Sequence, residues 1–253
     1  MTHIHHEIRG TGARNVLFLH GWGCTGALMK SPADALAPDC RVMTLDFPGF
    51  GESGRPPEPW GVPEYAEAVR ALLAEENFAP CSVVAHSFGG RVALWLASEY
   101  PELFGKIVIT GGAGLKKPQT EESKRRSEAY QKKKAFLEKV KRVPLLGGAA
   151  EKAEEKLRQK YGSPDYNALD PEMRKTFVKV ISLDLSDRLA AVRQPTLLIW
   201  GDRDTETPLW MGQKMEREIP DAGLVVLEGG SHFAYLEQAA RFNAIVRQFL
   251  TGG

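Results

Sequence analysis

Apolar residues along this chain come in two alternating patterns. Short unbroken runs, the signature of strands buried on both faces, occur at Asn15 to Leu19, Arg41 to Leu45, Ser82 to Ala85, Lys106 to Thr110, Pro195 to Trp200 and, more briefly, Leu224 to Leu227. Between them apolar positions recur at helical spacing. Glu64 to Glu76 carries Tyr65, Val69, Leu72 and Leu73 in this way, and a helical period follows Ser87 until Pro101 closes it. Ala234 to Leu250 predicts one amphipathic helix with Leu236, Ala240, Ile245 and Phe249 on its buried side. His3 to Arg9 alternates weakly and predicts a first edge strand. Strands separated by helices predict an α/β fold with a mostly parallel, doubly wound sheet and helices on both faces.

Over residues 115–188 the alternation stops and only helical periods remain. Ala149, Ala153, Leu157 and Tyr161 form one narrow apolar stripe, and Met173, Phe177, Val180 and Ile181 form another. An all-helical insertion between two strands predicts a cap over the carboxyl ends of the strands, where ligands bind in such sheets. The expected domains are a core made of residues 1–114 and 189–253 and a helical cap at 115–188. Gln131-Lys132-Lys133-Lys134 is expected to lie between the apolar stripes and the core sheet. Charge marks the same segment: formal net charge is +1, yet Gly114 to Lys160 holds 15 Lys or Arg against 7 Asp or Glu, which leaves the remainder of the chain at −7.

With 253 residues and 43% apolar composition, the chain can bury a substantial core. No apolar run approaches the ~20 residues that span a bilayer, and the first residues lack the apolar centre of a signal peptide, so a cytoplasmic protein without membrane or nucleic-acid partners is expected. Cys24, Cys40 and Cys81 are an odd number without close pairs, which argues against a disulfide framework or a thiolate metal site. His3, His5 and His6 invite a metal reading, since alternating strand residues can converge on one face, but no acidic or cysteine partner lies nearby, and no metal is expected.

The chemistry gathers at strand ends. Ala-His-Ser-Phe-Gly-Gly at 85–90 stands between a strand and a helix, the layout of a nucleophile elbow whose serine is held in strained backbone and pushed clear of both. Ala85 stands where the Gly-x-Ser-x-Gly pattern has its first glycine, a departure of one methyl group. His20-Gly21-Trp22-Gly23 follows the first buried strand, where backbone N–H groups can turn toward a developing oxyanion. Asp202 and Asp204 lie in the loop after Trp200, and His232 in the Gly-rich loop after Leu227. Serine, carboxylate and histidine thus occur at successive strand ends in the order Ser87, Asp204, His232.

These motifs, together with Asp-Phe-Pro-Gly-Phe-Gly-Glu-Ser at 46–53, Ile-Trp-Gly-Asp-Arg-Asp at 199–204 and Gly-Ser-His-Phe at 230–233, resemble the α/β-hydrolase superfamily over nearly the full chain. The resemblance implies Ser87 as nucleophile, His232 as general base, Asp204 as the orienting acid, and the backbone N–H groups of Trp22 and Phe88 as the oxyanion hole. His20, Gly21, Trp22, His86 and Phe233 are the expected substrate-binding residues. No cofactor is implied. The expected reaction is hydrolysis of a carboxylic ester or thioester through an acyl-enzyme. Two alternatives stay open: a carbon–carbon bond hydrolase of ring-cleavage products, a group that commonly places Asn where His86 sits, and a slow-turnover ligand receptor of the same fold. His-Gly-Trp-Gly with Asp-Phe-Pro-Gly-Phe-Gly also looks like the pimeloyl-acyl-carrier-protein methyl ester esterases. An acidic acyl carrier protein, drawn by the basic cap, is therefore an expected partner beside a small acyl ester substrate.

Overall fold

Alternate residues of each apolar run point to opposite faces, so a strand that is apolar throughout needs cover on both sides. The chain supplies it. The computed structural model describes residues 2–118, 120–141, 143 and 147–252. Seven strands, β1 (His6–Arg9), β2 (Arg14–Leu19), β3 (Cys40–Leu45), β4 (Cys81–His86), β5 (Phe104–Thr110), β6 (Thr196–Gly201) and β7 (Ala222–Leu227), form one sheet in the order β1-β3-β2-β4-β5-β6-β7. Only β1 runs antiparallel, against β3. Helices α1 (Lys30–Leu36), α2 (Val62–Glu75), α3 (Phe88–Glu99), α4 (Glu121–Val140), α5 (Gly147–Tyr161), α6 (Pro164–Ala168), α7 (Pro171–Ser182), α8 (Trp210–Glu218), α9 (Ala234–Glu237) and α10 (Ala239–Thr251) complete the chain.

Two apolar clusters sandwich the sheet. Leu17, Leu19, Val83, Ala85, Ile107, Ile109, Leu198 and Trp200 face α2, α3 and α8, through Tyr65, Val69, Val92, Leu96, Met211 and Met215. Val16, Phe18, Val42, Val84, Val108 and Ile199 face α1 and α10, through Ala33, Leu36, Phe242, Val246 and Leu250. Each fully buried aliphatic side chain of this kind contributes about 1.5–3 kcal/mol.

Strand order decides where a site can form. The chain adds β3 on one side of β2 and then β4 on the other, so the direction of winding reverses between β2 and β4. A crevice opens beyond the carboxyl ends of two such strands. Here those ends are Leu19 and His86, followed directly by His20 and Ser87. Register aligns the neighbouring strand ends: Leu19 pairs with Ala85, His86 with Thr110, and Gly201 with Leu227.

The chain divides into two compact units, Met1–Leu115 with Val178–Gly253, and Lys116–Phe177. Within the second unit α4 and α5 pack side by side, and Tyr130 meets Tyr161 at 5.5 Å between ring centroids. Its end at Phe177 falls short of the expected limit near Arg188, because Val180, Leu185 and Leu189 are buried in the core cluster of the first unit. Gln131 to Lys134 lie within α4, between β5 and the two apolar stripes along the chain. Arg142, one of the cations counted in this segment, lies outside the described residues.

Three further expectations are corrected. The first strand starts at His6, since His3 and His5 bond instead with the 46–54 loop: Gly54 N–H donates to His3 O at 3.0 Å, and His5 N–H donates to Ser53 Oγ at 2.8 Å. The closing helix is two helices, broken at Gln238, whose side-chain amide donates to Glu228 O at 2.9 Å. Its buried stripe is Phe242, Val246 and Leu250; Ala240 is exposed, while Leu236, Ile245 and Phe249 are only partly buried. A break in the helix resets the phase, which a single continuous period cannot reveal.

Candidate active site

The turn from β4 into α3 is tight. Ser87 has φ 50° and ψ −109°, a left-handed backbone that a non-glycine residue adopts only when its surroundings impose it. Those surroundings are two neighbouring strands. Ser87 N–H donates to Thr110 O at 3.2 Å, and Ser87 O accepts from Gly90 and Ala113 N–H at 2.9 and 3.0 Å. Gly89 N–H donates to His20 O at 3.1 Å. A Cβ on Gly89 would stand 2.4 Å from Leu19 O, which is why that position must be glycine. Ala85, buried in the strand, carries its extra methyl group without such an encounter.

The loop after β2 reaches the same point. A Cβ on Gly21 would lie 3.4 Å from Ser87 Cβ. His20 is fully buried, with both ring nitrogens engaged: Nδ1–H donates to Gly21 O at 2.7 Å, and Nε2 accepts from Phe47 N–H at 2.9 Å. This ring ties the 20–23 loop to the 46–53 loop. The latter is itself held by Asp46, whose carboxylate accepts from Gly26 N–H at 2.7 Å and Glu52 N–H at 2.9 Å. Trp22 packs edge-on against Phe50 and Phe88, with centroids 4.9 and 5.4 Å away. Phe88 opens α3, so its backbone N–H has no acceptor within the helix.

Asp204 and His232 meet from the loops after β6 and β7. His232 Nδ1 lies 2.8 Å from Asp204 Oδ2, with the carboxylate side chain wholly buried. An ionised carboxylate only accepts, so Nδ1 carries the proton and Nε2 keeps its lone pair. Asp204 Oδ1 accepts from the backbone N–H groups of Glu206 and Thr207 at 2.9 and 2.8 Å. Burial alone would raise the Asp204 carboxyl, but the bonds from His232 and Thr207 outweigh it and hold the group below its ordinary value.

Sequence reasoning missed Thr207. Its hydroxyl lies 2.9 Å from Asp204 Oδ2, 2.9 Å from Gly111 O and 3.2 Å from His232 Nδ1, joining the acid to the end of β5. The signal was present as a hydroxyl three residues after an acid in a turn, a spacing that lets an aspartate cap the backbone that follows it. Gly111 shares this corner. It has φ 51°, and a Cβ there would stand 3.2 Å from both Asp204 Oδ2 and His232 Nδ1.

Ser87 and the acid–histidine pair are thus linked through Thr110 and Gly111. Among the described residues no hydrogen bond joins Ser87 Oγ to the His232 ring, a bond that often tightens only when substrate binds. Asp202, the competing acid, sits elsewhere: its Oδ1 accepts from Gly229 N–H at 2.7 Å on the exposed side of the loop. Of the expected substrate-binding residues, Gly21, Trp22 and Phe233 border this region. His20 and His86 are 0% and 1% exposed, and both rings contact groups within the protein. Among the described residues no group of three or more His, Cys, Asp or Glu could hold a metal ion, and no helix is long and apolar enough to cross a membrane.

Burial gives these histidines a measurable signature. It lowers the His20 ring from 6.5 to about 4, against the opposing bond to Gly21 O, and lowers His86 from 6.5 to about 3. The unfolded chain then takes up protons that the folded chain refuses. Stability is therefore full above pH 6.5 and falls as pH drops through the window toward 4 and 3. At pH 5 the expected loss is about 2 kcal/mol per ring. Denaturant melts at pH 7.5 and 5 read it, and equal stability at both would contradict the neutral buried rings.

A family model described as the alpha/beta hydrolase family matches residues 16–245. The chain is 31% identical to a 2-hydroxy-6-oxo-6-phenylhexa-2,4-dienoate hydrolase of Burkholderia cepacia, over 99% of this chain and 92% of that protein. It is 27% identical to a pimeloyl-[acyl-carrier protein] methyl ester esterase of Neisseria meningitidis, over 94% of each. Among solved structures, a hydrolase from Pseudomonas aeruginosa PA01 superposes with TM-score 0.75 at 25% identity, over 99% of this chain and 95% of that one.

Proposed function

The chain belongs to the alpha/beta hydrolase family, and on that premise we propose that it is a serine hydrolase cleaving a carboxylic ester or thioester through an acyl-enzyme. The observation that carries this reading is the strained Ser87 at the switch point of the sheet, with only β5 between its strand and the two strands whose loops bring the buried Asp204 together with His232. His232 Nε2 takes the proton of Ser87 Oγ, and the oxygen adds to the substrate carbonyl. The backbone N–H groups of Trp22 and Phe88 hold the oxyanion. Collapse of the tetrahedral adduct expels the alcohol or thiol, protonated by His232. Water, deprotonated by His232, then attacks the acyl-enzyme, releases the carboxylic acid and restores Ser87. Trp22 and Phe50 present an aromatic wall beside this point, suited to an apolar acyl group.

A fluorophosphonate probe, which bonds to an activated serine with loss of fluoride, tests the reading. The expected adduct maps to Ser87, with a burst of nitrophenol from a short-chain nitrophenyl ester. Absence of both would favour a slow ligand receptor. The Burkholderia cepacia relative supports a second reading, hydrolysis of a carbon–carbon bond. It gains if a coloured ring-cleavage dienoate is bleached faster than the ester is cleaved.

The partner we propose is an acidic acyl carrier protein, on the support of the Neisseria meningitidis relative and of the surface of α4 and α5. A groove of about 500 Å³ between these helices is lined by Phe136, Leu137, Ala153 and Leu157, and flanked by Lys132, Lys133, Lys156 and Lys160. None of the four lysines makes an ion pair among the described residues. On the same helices Lys124 pairs with Glu121, Lys141 with Glu138 and Glu154, and Arg158 with Glu155. Unpaired cations around an apolar floor suit an acidic, amphipathic surface. Reversing all four to Glu is expected to lower kcat/KM for a carrier-linked ester at least ~10-fold relative to that for a nitrophenyl ester, and to remove its decline with salt. A carrier-linked rate insensitive to both would sink the partner.

A further inference from the structure

His86 ends β4, immediately before Ser87, and its ring meets several parts of the site. Nε2 lies 3.0 Å from the main-chain oxygen of His232. A carbonyl only accepts, so Nε2 carries the proton and Nδ1 the lone pair. Nδ1 is buried and has no hydrogen-bond partner. A Cβ on Gly21 would stand 2.8 Å from it, so the ring occupies the space that a side chain there would need. The ring centroid lies 4.7 Å from that of His232, 5.2 Å from Phe233 and 4.7 Å from Tyr235. One imidazole therefore abuts the 20–23 loop, the elbow and the loop after β7, which come from three different strand ends.

The orphaned nitrogen has an energetic cost. Burying an acceptor without a partner is unfavourable, and an apolar ring of similar shape would avoid it. What the imidazole supplies and such a ring lacks is the donor to His232 O. Asp204 fixes the far side of the His232 ring through Nδ1, but a ring fixed only there can still move with its own backbone. The donor from His86 fixes that backbone. The titratable groups facing His86 are His232, Asp204, His20 and Tyr235, and burial keeps its own ring neutral in their presence.

We propose that His86 is a positioning residue that anchors the main chain of His232 to the nucleophile elbow and, through Gly21, holds the proposed oxyanion loop in register with both. The inference rests on the serine-hydrolase reading of this site. A catalytic base displaced by about 1 Å loses on the order of 10²-fold in rate, so the effect should be visible in turnover rather than in binding.

The test compares His86→Phe, which keeps a ring and removes the donor, with His86→Gln, whose terminal amide can restore a donor near the Nε2 position. His86→Leu serves if the Phe variant does not fold. Expected for Phe or Leu are a 10- to 100-fold fall in kcat on a nitrophenyl ester, KM within about 3-fold of wild type, and a displaced acidic limb in the pH profile of kcat/KM. Gln should recover kcat to within about 5-fold of wild type. The inference is overturned if Phe keeps the wild-type kcat and profile, or if Gln and Phe are equally impaired. Fluorophosphonate labelling separates it from the reading beneath it. A labelled wild type with an equally fast His86→Phe overturns the positioning role alone, whereas a wild type that takes no label at Ser87 overturns both.

Discussion

Ser87→Ala is expected to abolish fluorophosphonate labelling and to lower ester turnover by at least ~10⁴-fold, with little change in stability. The size follows from the mechanism. Without Oγ no acyl-enzyme forms, and the remaining groups can only polarise a carbonyl that water must attack unaided. The small effect on stability follows from the geometry. The strained backbone of residue 87 is imposed by Thr110 O, Gly90 N–H and Ala113 N–H, all bonded to main-chain atoms that alanine keeps. A variant that melts like wild type and yet turns over the ester at more than about one hundredth of its rate would exclude Ser87 as the nucleophile.

Asp204→Asn should cost about 10³- to 10⁴-fold in kcat/KM, and the structure indicates why so conservative a change does so much. Oδ1 accepts two backbone N–H bonds, from Glu206 and Thr207, so the new amide must keep its oxygen there. Its NH₂ then faces His232 Nδ1. A donor in that position forces the ring proton from Nδ1 to Nε2, and the nitrogen needed as a base is blocked. Asp202→Asn is the control. Its Oδ1 accepts from Gly229 N–H on the solvent side, an acceptor role that asparagine retains, and activity should stay within about 3-fold. Steady-state kinetics on both variants decide between the two acids, and a larger loss at Asp202 would reverse the assignment.

Much of the site was legible because its parts are local. A strand run ending in Ser-Phe-Gly-Gly writes its own turn, since only a sharp corner lets Gly89 come so close to Leu19 O. Buried strands are equally legible, because cover on both faces makes every residue apolar. Boundaries were less so. The break at Gln238 coincides with a side-chain bond to Glu228 O, ten residues back, and Ala240 just beyond it is exposed.

By itself the sequence determined the alternation of strands and helices, the elbow, and the order in which serine, acid and histidine follow one another. Each is set by burial period or turn chemistry within a few residues. Only the tertiary structure decided what holds those groups: Thr207 joining Asp204 to Gly111, His20 bonding Phe47, and His86 reaching the main chain of His232. Their partners lie up to 146 positions away along the chain. A hydrogen bond is set by distance and direction in space, and no local pattern records which strand ends the sheet will bring together.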